Sequence, residues 1–396
     1  MSTDISYMRA IRTDGIGSSK IREVTARAAA AKQQGIEISD FSIGRPNFDT
    51  PAHIKEACIK AMRDGQIHYC SSTGTREFQE AVAYRIHEDY KIDVDPDNVM
   101  ATNGASQGLY MTMQAILNPG DEVIVPEPMY TAYSGLSFLA GGSVVRIRTN
   151  DKDGFKPTAA LFEEKITPHT KALLITSPNN PCGQVIDKEE LYKIAELAHH
   201  HNLLVIADDI YCRIIYDGVE CLSIASVPGM LERTIIVGSL SKTYAMDGWR
   251  IGYLILPECL RAGFLKLQQH IISCPNTFVQ AGAVAALTGD QSCVDEMVAE
   301  FDRRRLLIMK YLNEHKVPYV RPQGAFYIFP DFSDLHMEST DLAFYMLEHA
   351  RVAAVPGGAF GPDGEGHLRL AYSTDYEDID AGMSRMMQVV EQLRCK

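Results

Sequence analysis

Short apolar runs alternate with longer stretches of helical periodicity over most of the chain. Residues 171–177 (KALLITS) predict a buried strand, and residues 203–208 (LLVIAD) predict a second one. Between them, residues 187–201 place their leucines and isoleucine on one helical face, and Asp187 with Glu190 three residues later resembles a capping box. Because a strand–helix–strand unit joins parallel strands, the pattern predicts an α/β fold with a parallel sheet.

Other apolar runs extend the same sheet. Strands are predicted at 122–126, 144–147 and 234–237. A helical pattern follows Asn103 and stops at the Asn-Pro-Gly sequence of 118–120, which is typical of a helix end.

The pattern changes in the last third of the chain. A long amphipathic helix is followed by two short strand candidates, 325–329 and 368–372, which lie between helices. This mixture predicts a smaller α+β domain, and we expect the N-terminal residues to pack against it. The predicted division is a large domain, 45–290, and a small domain, 1–44 with 291–396.

Composition narrows the class of protein. The chain has 396 residues, 46% of them hydrophobic, and a formal net charge of −13. These values exclude a disordered chain and argue against a general affinity for nucleic acid or anionic membranes. The nine cysteines contain no CxxC pair, and the first residues contain no apolar signal segment. We therefore expect a cytoplasmic protein without a disulfide framework or a membrane span.

Polar side chains with useful chemistry follow the predicted strands, at the edge where open parallel sheets bind ligands. Asn180 follows the first strand of the strand–helix–strand unit, and Asp208 and Tyr211 come at the end of the second. Lys242 follows the strand at 234–237. A lysine amine that is partly desolvated there can form a Schiff base with an aldehyde.

The surroundings of Lys242 predict a phosphate site. Ser239 supplies a hydroxyl, and Arg250 supplies a guanidinium that can bind a phosphate through two hydrogen bonds. The turn at 104–106 opens a helix, whose first N–H groups favour an anion. With Asp208 as a carboxylate that keeps a pyridine nitrogen protonated, these groups predict a site for a phosphorylated pyridine aldehyde.

Four motifs carry a family resemblance. The sequences SPNNPCG (177–183), ADDIY (207–211), SLSKTYAMDGWRIGY (239–253) and LRLAYS (368–373) resemble those of class I/II aminotransferases, pyridoxal-phosphate enzymes of fold type I. The resemblance runs from about residue 41 to the C-terminus. It implies a large domain with a mostly parallel, seven-stranded sheet flanked by helices, and a smaller α+β domain. It also implies ping-pong transfer of an amino group from an L-amino acid (aspartate, alanine or aromatic) to a 2-oxo acid such as 2-oxoglutarate.

The resemblance implies roles for the residues around the reacting atoms. Lys242 resembles the catalytic Schiff-base lysine, and Asp208 matches the carboxylate that faces the pyridine nitrogen of pyridoxal 5'-phosphate. Tyr211 and Asn180 match the groups that hydrogen-bond the phenolic oxygen of the cofactor.

Other residues match those that bind the phosphate of the cofactor and pack on the face of its ring. Ser239 and Arg250 match the phosphate binders, together with Ala105 and Ser106 in the turn before a helix. Tyr130 lies where the family stacks an aromatic ring on the pyridine. Many aspartate-specific relatives carry lysine at the position of Ser106, so its absence here argues against strict aspartate specificity.

Substrate binding and assembly follow from the same resemblance. Arg369 resembles the arginine that binds the substrate α-carboxylate, and Gly44 and Asn180 match residues that line that pocket. Tyr69 resembles a tyrosine that reaches the phosphate of the neighbouring subunit. The resemblance therefore implies a homodimer with shared active sites.

Alternative functions stay open at this point. A β-elimination enzyme, such as a carbon–sulfur lyase, would use the same cofactor contacts. A cofactor-binding module fused to a DNA reader would need a further N-terminal domain, and a nicotinamide-dependent dehydrogenase would need a GxGxxG sequence that is missing.

Single residues also have simpler interpretations. Asp208 and Asp209 could form a metal-binding pair, although no third ligand has suitable spacing. Arg369 could be an ordinary strand-edge arginine, and Tyr130 could belong to the core. Arg303, Arg304 and Arg305 are interpreted as a solvated helix face.

Overall fold

The computed structural model describes residues 8–17 and 20–395. Twelve strands are found in these residues. They are β1 (Ser39–Asp40), β2 (Val99–Thr102), β3 (Glu122–Glu127), β4 (Ser143–Arg148), β5 (Thr170–Thr176), β6 (Leu204–Asp208), β7 (Thr234–Ser239), β8 (Gly252–Ile255), β9 (Tyr327–Ile328), β10 (Val352–Ala353), β11 (Val355–Pro356) and β12 (Leu368–Ala371).

Thirteen α-helices are found in the same described residues. They are α1 (Lys20–Gln33), α2 (Ala52–Arg63), α3 (Arg76–Tyr90), α4 (Ala105–Ile116), α5 (Ala132–Leu139), α6 (Ala159–Glu163), α7 (Lys188–His200), α8 (Leu240–Thr243), α9 (Arg261–Ile271), α10 (Thr277–Thr288), α11 (Ser292–Glu314), α12 (Ser339–Tyr345) and α13 (Tyr376–Arg394). Within these residues, no helix is long and apolar enough to cross a membrane.

A seven-stranded sheet forms the centre of the fold, in the order β2-β8-β7-β6-β5-β3-β4. Strand β8 runs antiparallel to both of its neighbours, and the other neighbouring pairs are parallel. The prediction of an α/β fold with a mostly parallel, seven-stranded sheet is confirmed. The parallel order brings the carboxyl ends of β5, β6 and β7 to one edge.

Alternate residues of the central strands pack on opposite faces of the sheet, because side chains alternate along a strand. In β5, Leu173 and Ile175 pack with α7, whereas Ala172 and Leu174 belong to a cluster with residues of α4 and α9. Helices therefore cover both faces, as the continuous apolar runs of these strands predict.

The remaining strands form small sheets. Strands β11, β12 and β9 form an antiparallel sheet, and β1 pairs in parallel with β10. Helices α11, α12 and α13 bury apolar residues in a cluster with these strands. The bounds of the two domains stay a prediction, and residues 1–7, 18, 19 and 396 of the predicted small domain lie outside the described residues.

Two local predictions are wrong. The side chain of Asp187 makes no capping hydrogen bond and instead accepts one from Lys156 Nζ at 2.6 Å. Glu190 likewise accepts a hydrogen bond from the backbone of Ala159. The two carboxylates thus bond to α6 and to the segment before it, and they do not form a capping box.

Two of the three arginines predicted on a solvated helix face are buried, whereas Arg303 is exposed as predicted. Arg305 is 0% exposed, and its guanidinium pairs with Asp217 at 2.8 Å and Asp302 at 2.7 Å. Arg304 is also buried and bonds Glu300 at 2.8 Å. Only a charge that is paired and hydrogen-bonded can be buried at acceptable cost, and these carboxylates supply the pairing.

Candidate active site

A cavity of about 1580 Å³ lies at the carboxyl edge of the central sheet. It is lined by eleven of the twelve residues that the sequence predicts for a site. These are Gly44, Ala105, Ser106, Tyr130, Asn180, Asp208, Tyr211, Ser239, Lys242, Arg250 and Arg369. The twelfth, Tyr69, is 88% exposed and is not among the lining residues.

Lys242 enters the cavity from a short helix directly after β7. The hydroxyl of Ser239 accepts a hydrogen bond from the backbone N–H of Ser241 at 3.1 Å and so caps α8. The Nζ atom of Lys242 donates to the carbonyl oxygen of Gly44. Burial lowers the pKa of Lys242 to about 8, because desolvation disfavours the ammonium. The amine therefore gives up its proton more readily than an ordinary lysine amine.

Asp208 is the last residue of β6 and is 1% exposed. Its Oδ2 atom accepts a hydrogen bond from the hydroxyl of Tyr133 at 2.6 Å, whereas Oδ1 has no well-formed hydrogen bond among the described residues. Burial raises the pKa of Asp208 to about 6, and the Tyr133 hydroxyl and the Ile210 amide oppose this rise. A buried carboxylate oxygen without a partner is costly, and a cation or an N–H donor in the cavity would relieve that cost.

The first turn of α4 and Arg250 lie side by side in the wall of the cavity. Gly104, the residue before α4, has φ +77°, and a Cβ atom built on it would lie 2.7 Å from Nη2 of Arg250. Only glycine allows this backbone conformation together with such a close approach. Arg250 is anchored by a 2.8 Å hydrogen bond to the carbonyl of Asp247. A guanidinium beside a helix N-terminus favours an anion there.

Arg369 of β12 is buried, and aromatic rings lie near its guanidinium. Its Nη1 donates to Oδ1 of Asn180 at 3.2 Å, and its Nη2 donates to the carbonyl of Ser42 at 2.6 Å. The Cζ atom lies 4.5 Å from the ring centre of Tyr327 and 5.3 Å from that of Phe360. Its Nε is buried without a hydrogen-bond partner.

Three aromatic residues of the site do not appear in the prediction. Tyr327 shares a 2.8 Å hydrogen bond with the hydroxyl of Tyr211, and Phe360 covers Arg369. Tyr133 holds Asp208 and packs edge-on against Tyr130 at 5.4 Å. Tyr133 lies in the same PEPMYTAY segment as Tyr130, which is the one sequence signal that could have found it.

The cavity therefore combines an amine with a lowered pKa, a buried carboxylate and two guanidiniums. Among residues 8–17 and 20–395, no group of three or more His, Cys, Asp or Glu side chains is placed to hold a metal ion. The pair Asp208 and Asp209 has no third ligand among them. The arrangement suits an anionic ligand that carries an aldehyde and a basic ring nitrogen.

Comparisons with known proteins agree with this chemistry. The sequence profile of "Aminotransferase class I and II" matches residues 36–386. An aromatic-amino-acid aminotransferase 2 of Thermococcus litoralis is 41% identical over 385 residues, which cover 96% of this chain and 98% of that protein. An aspartate aminotransferase of Pyrococcus abyssi is 41% identical over 384 residues, with coverage of 96% and 98%. The structure of a Thermus thermophilus aspartate aminotransferase with maleate matches with a TM-score of 0.92 at 35% identity, covering 96% of this chain and 99% of that one.

Proposed function

Because the chain belongs to the class I and II aminotransferases, which are pyridoxal-phosphate-dependent transaminases, we propose a division of labour among the residues of its cavity. Lys242, Asp208 and Tyr211 serve the reacting end of the cofactor. Arg250, with Ser239 and the first turn of α4, binds its phosphate. The observation that carries the proposal is that all of these residues line one cavity.

The residues present fit pyridoxal phosphate. The unpartnered Oδ1 of Asp208 suits the N–H of a protonated pyridine. Because Gly104 has no side chain, Arg250 can lie directly beside the backbone there, and the two can bind a phosphate together. Ser239, Ala105 and Ser106 line the cavity beside Arg250. When bound, pyridoxal phosphate supplies an aldehyde that exchanges amines and a ring that delocalises electrons from the substrate Cα.

Lys242 holds the cofactor in the resting enzyme and moves protons once its amine is free. Its pKa of about 8 leaves neutral Nζ available to take a proton from the substrate Cα near neutral pH. Asp208 holds the proton on the ring nitrogen, and Tyr211 and Asn180 hydrogen-bond the phenolic oxygen. Tyr130 packs on the ring face, supported by its edge contact with Tyr133.

Arg369 binds the substrate α-carboxylate. Asn180 and Ser42 fix the plane of its guanidinium, and the unpartnered Nε offers a donor in that plane. Arginine can hold a carboxylate through two parallel hydrogen bonds, which orients the Cα proton toward the base. Gly44 lines the same pocket, and its carbonyl oxygen accepts a hydrogen bond from Lys242.

Borohydride reduction followed by peptide mapping tests the assignment of Lys242. The cofactor mass is expected on the peptide that contains Lys242, and Lys242→Ala is expected to lose both this label and amino transfer. Lys171→Ala, which removes an exposed lysine of β5, is the matched control and retains both. A Lys242→Ala enzyme with full turnover would refute the assignment.

The amino donor is an L-amino acid such as aspartate, alanine or an aromatic residue, and 2-oxoglutarate is the proposed acceptor. Relatives of nearly equal identity have names that specify aromatic amino acids and aspartate, which supports both classes. β-Elimination is not favoured by these relatives. A panel of amino acids, with 2-oxo acid products quantified, identifies the donor.

We also propose a homodimer, a cytoplasmic location and the two-domain division given above. The 88% exposure of Tyr69 leaves its ring available to a neighbouring subunit. All nine cysteines are free thiols, as in a reducing compartment. Pairing of β1 with β10 supports a small domain built from both ends of the chain. Light scattering is expected to give a dimer mass.

A further inference from the structure

We infer that Glu127 is a positioning residue for the carboxylate site, acting through residues 357–364, which we name the Phe360 loop. This inference rests on the proposed role of Arg369. Glu127 is the last residue of β3 and is 2% exposed. None of the predicted roles uses this buried carboxylate.

The carboxylate of Glu127 ties the Phe360 loop to the end of β3. Its Oε1 accepts a hydrogen bond from the backbone N–H of Asp363 at 2.9 Å, and Arg146 Nε lies 3.4 Å from Oε2. Two residues beyond Glu127, the N–H of Met129 donates to the carbonyl of Phe360 at 2.9 Å. The loop is therefore held at its middle and near its C-terminal end by the same short segment of chain.

Gly361 shows how closely the loop is seated. It has φ +125°, and a Cβ atom built on it would lie 2.1 Å from Oε1 of Glu127. No other residue could occupy this position without moving the carboxylate or the loop. The contact between Glu127 and the Phe360 loop is thus built into the backbone.

The loop in turn shapes the surroundings of Arg369. Phe360 is 1% exposed, and its ring lies 5.3 Å from the Arg369 Cζ atom. A dry aromatic wall strengthens the ion pair between a guanidinium and a carboxylate, because it lowers the local dielectric. Releasing the loop would expose Arg369 to water and weaken carboxylate binding. Proton transfer at Lys242 would continue, because none of these contacts involves its amine.

Two substitutions of Glu127 weaken its hold on the Phe360 loop to different extents. Glu127→Gln keeps an oxygen that can accept from Asp363 but loses the attraction to Arg146, whereas Glu127→Leu loses both. For Glu127→Leu, KM for the amino acid and for the 2-oxo acid is expected to rise about tenfold, with kcat within about twofold of wild type. Glu127→Gln is expected to show a smaller rise. Glu122→Gln is the matched control, because it alters a carboxylate at the other end of β3 that bonds Thr167 and not the Phe360 loop, and it should leave KM unchanged.

Calorimetric titration with 3-phenylpropanoate and with maleate, two carboxylates without an amine, measures the site without turnover. Their affinity is expected to fall in parallel with the KM change, and Tm of Glu127→Gln is expected to match wild type. Unchanged KM and carboxylate affinity in both variants would overturn the inference, as would a fall in kcat at constant KM. If Glu127→Leu does not fold, Arg146→Gln takes its place. A wild type that transfers no amino group would refute the proposed function instead, and the titration would still test the role of Glu127.

Discussion

The hydroxyl of Tyr133 donates a 2.6 Å hydrogen bond to Oδ2 of Asp208 and leaves the other carboxylate oxygen without a well-formed partner in the cavity. The carboxylate is therefore oriented in advance by Tyr133, and the proposed function assigns its other oxygen to the ring nitrogen of the cofactor. Thr176 lies 2.8 Å from the same Tyr133 hydroxyl and fixes it in turn. Because the Tyr133 hydroxyl is held by both Thr176 and Asp208, it needs little reorganisation when a ligand binds.

Substitution of Asp208 should cost much more activity than substitution of its partner. Asp208→Asn keeps the shape but removes the charge that stabilises a ring N–H, so kcat is expected to fall about 100-fold or more. Tyr133→Phe removes one hydrogen bond to a carboxylate and is expected to cost about tenfold. Steady-state kinetics of both variants checks the ranking, and equal losses would mean that orientation rather than charge is the function of Asp208.

The phosphate cradle depends on a glycine. Gly104→Ala places a methyl group against Arg250 at a backbone conformation that disfavours side chains, so the affinity for pyridoxal phosphate is expected to fall about tenfold or more. Gly120→Ala is the control, because Gly120 also has a positive φ, +92°, but a Cβ there meets no atom within 4 Å. Both variants should lose some thermal stability. Equal cofactor affinity in the two, measured by fluorescence titration, would argue against a phosphate at this end of the cavity.

Shared active sites predict complementation between inactive variants. A dimer that combines one Lys242→Ala subunit with one Tyr69→Ala subunit has one site in which both side chains are native. Random mixing should therefore restore about one quarter of wild-type activity. Each variant alone is expected to be much less active. Tyr84→Ala, at another exposed tyrosine, serves as the control and should be active without mixing. If activity does not recover although subunit exchange has been verified, Tyr69 does not contribute to the active site of the partner.

The pKa of Lys242 predicts a pH dependence of folding in the cofactor-free protein. Its folded pKa of about 8 lies below its ordinary value of 10.5, so the unfolded chain binds the proton more tightly. The stability penalty of this amine is therefore complete below about pH 8, and it disappears as pH rises from about 8 to 10.5. Lys242→Met should raise Tm at pH 7 and lose this advantage by pH 10.5. A Tm difference that is constant over this range would show that the amine is not desolvated.

The sequence predicts five of the seven strands of the central sheet, because each of these carries its own apolar run, whereas β2 and β8 were not predicted. Residues 171–177 are observed as a strand at Thr170–Thr176, and residues 203–208 as one at Leu204–Asp208. Parallel order follows from the connecting helix, and this order places Asn180, Asp208 and Lys242 at one edge. These side chains were therefore predictable together.

Features that depend on distant partners were not predictable. Arg305 is buried because Asp217, 88 residues away in the chain, accepts two hydrogen bonds from it. Tyr327 and Phe360 reach the site from strands and loops whose approach no local pattern specifies. Tyr327 stands in an apolar run typical of core residues and Phe360 in a glycine-rich segment, so neither pattern gives a sign of contact with Arg369.

The central claim is that the cavity performs amino transfer with Lys242 as its reactive amine. It is tested most directly by mixing the purified holoenzyme with a donor amino acid in the absence of any 2-oxo acid. We expect that about one equivalent of 2-oxo acid forms per subunit, that no ammonia is released, and that product formation then stops until 2-oxoglutarate is added. Continued release of ammonia, or no product from any amino acid in the panel, would contradict it.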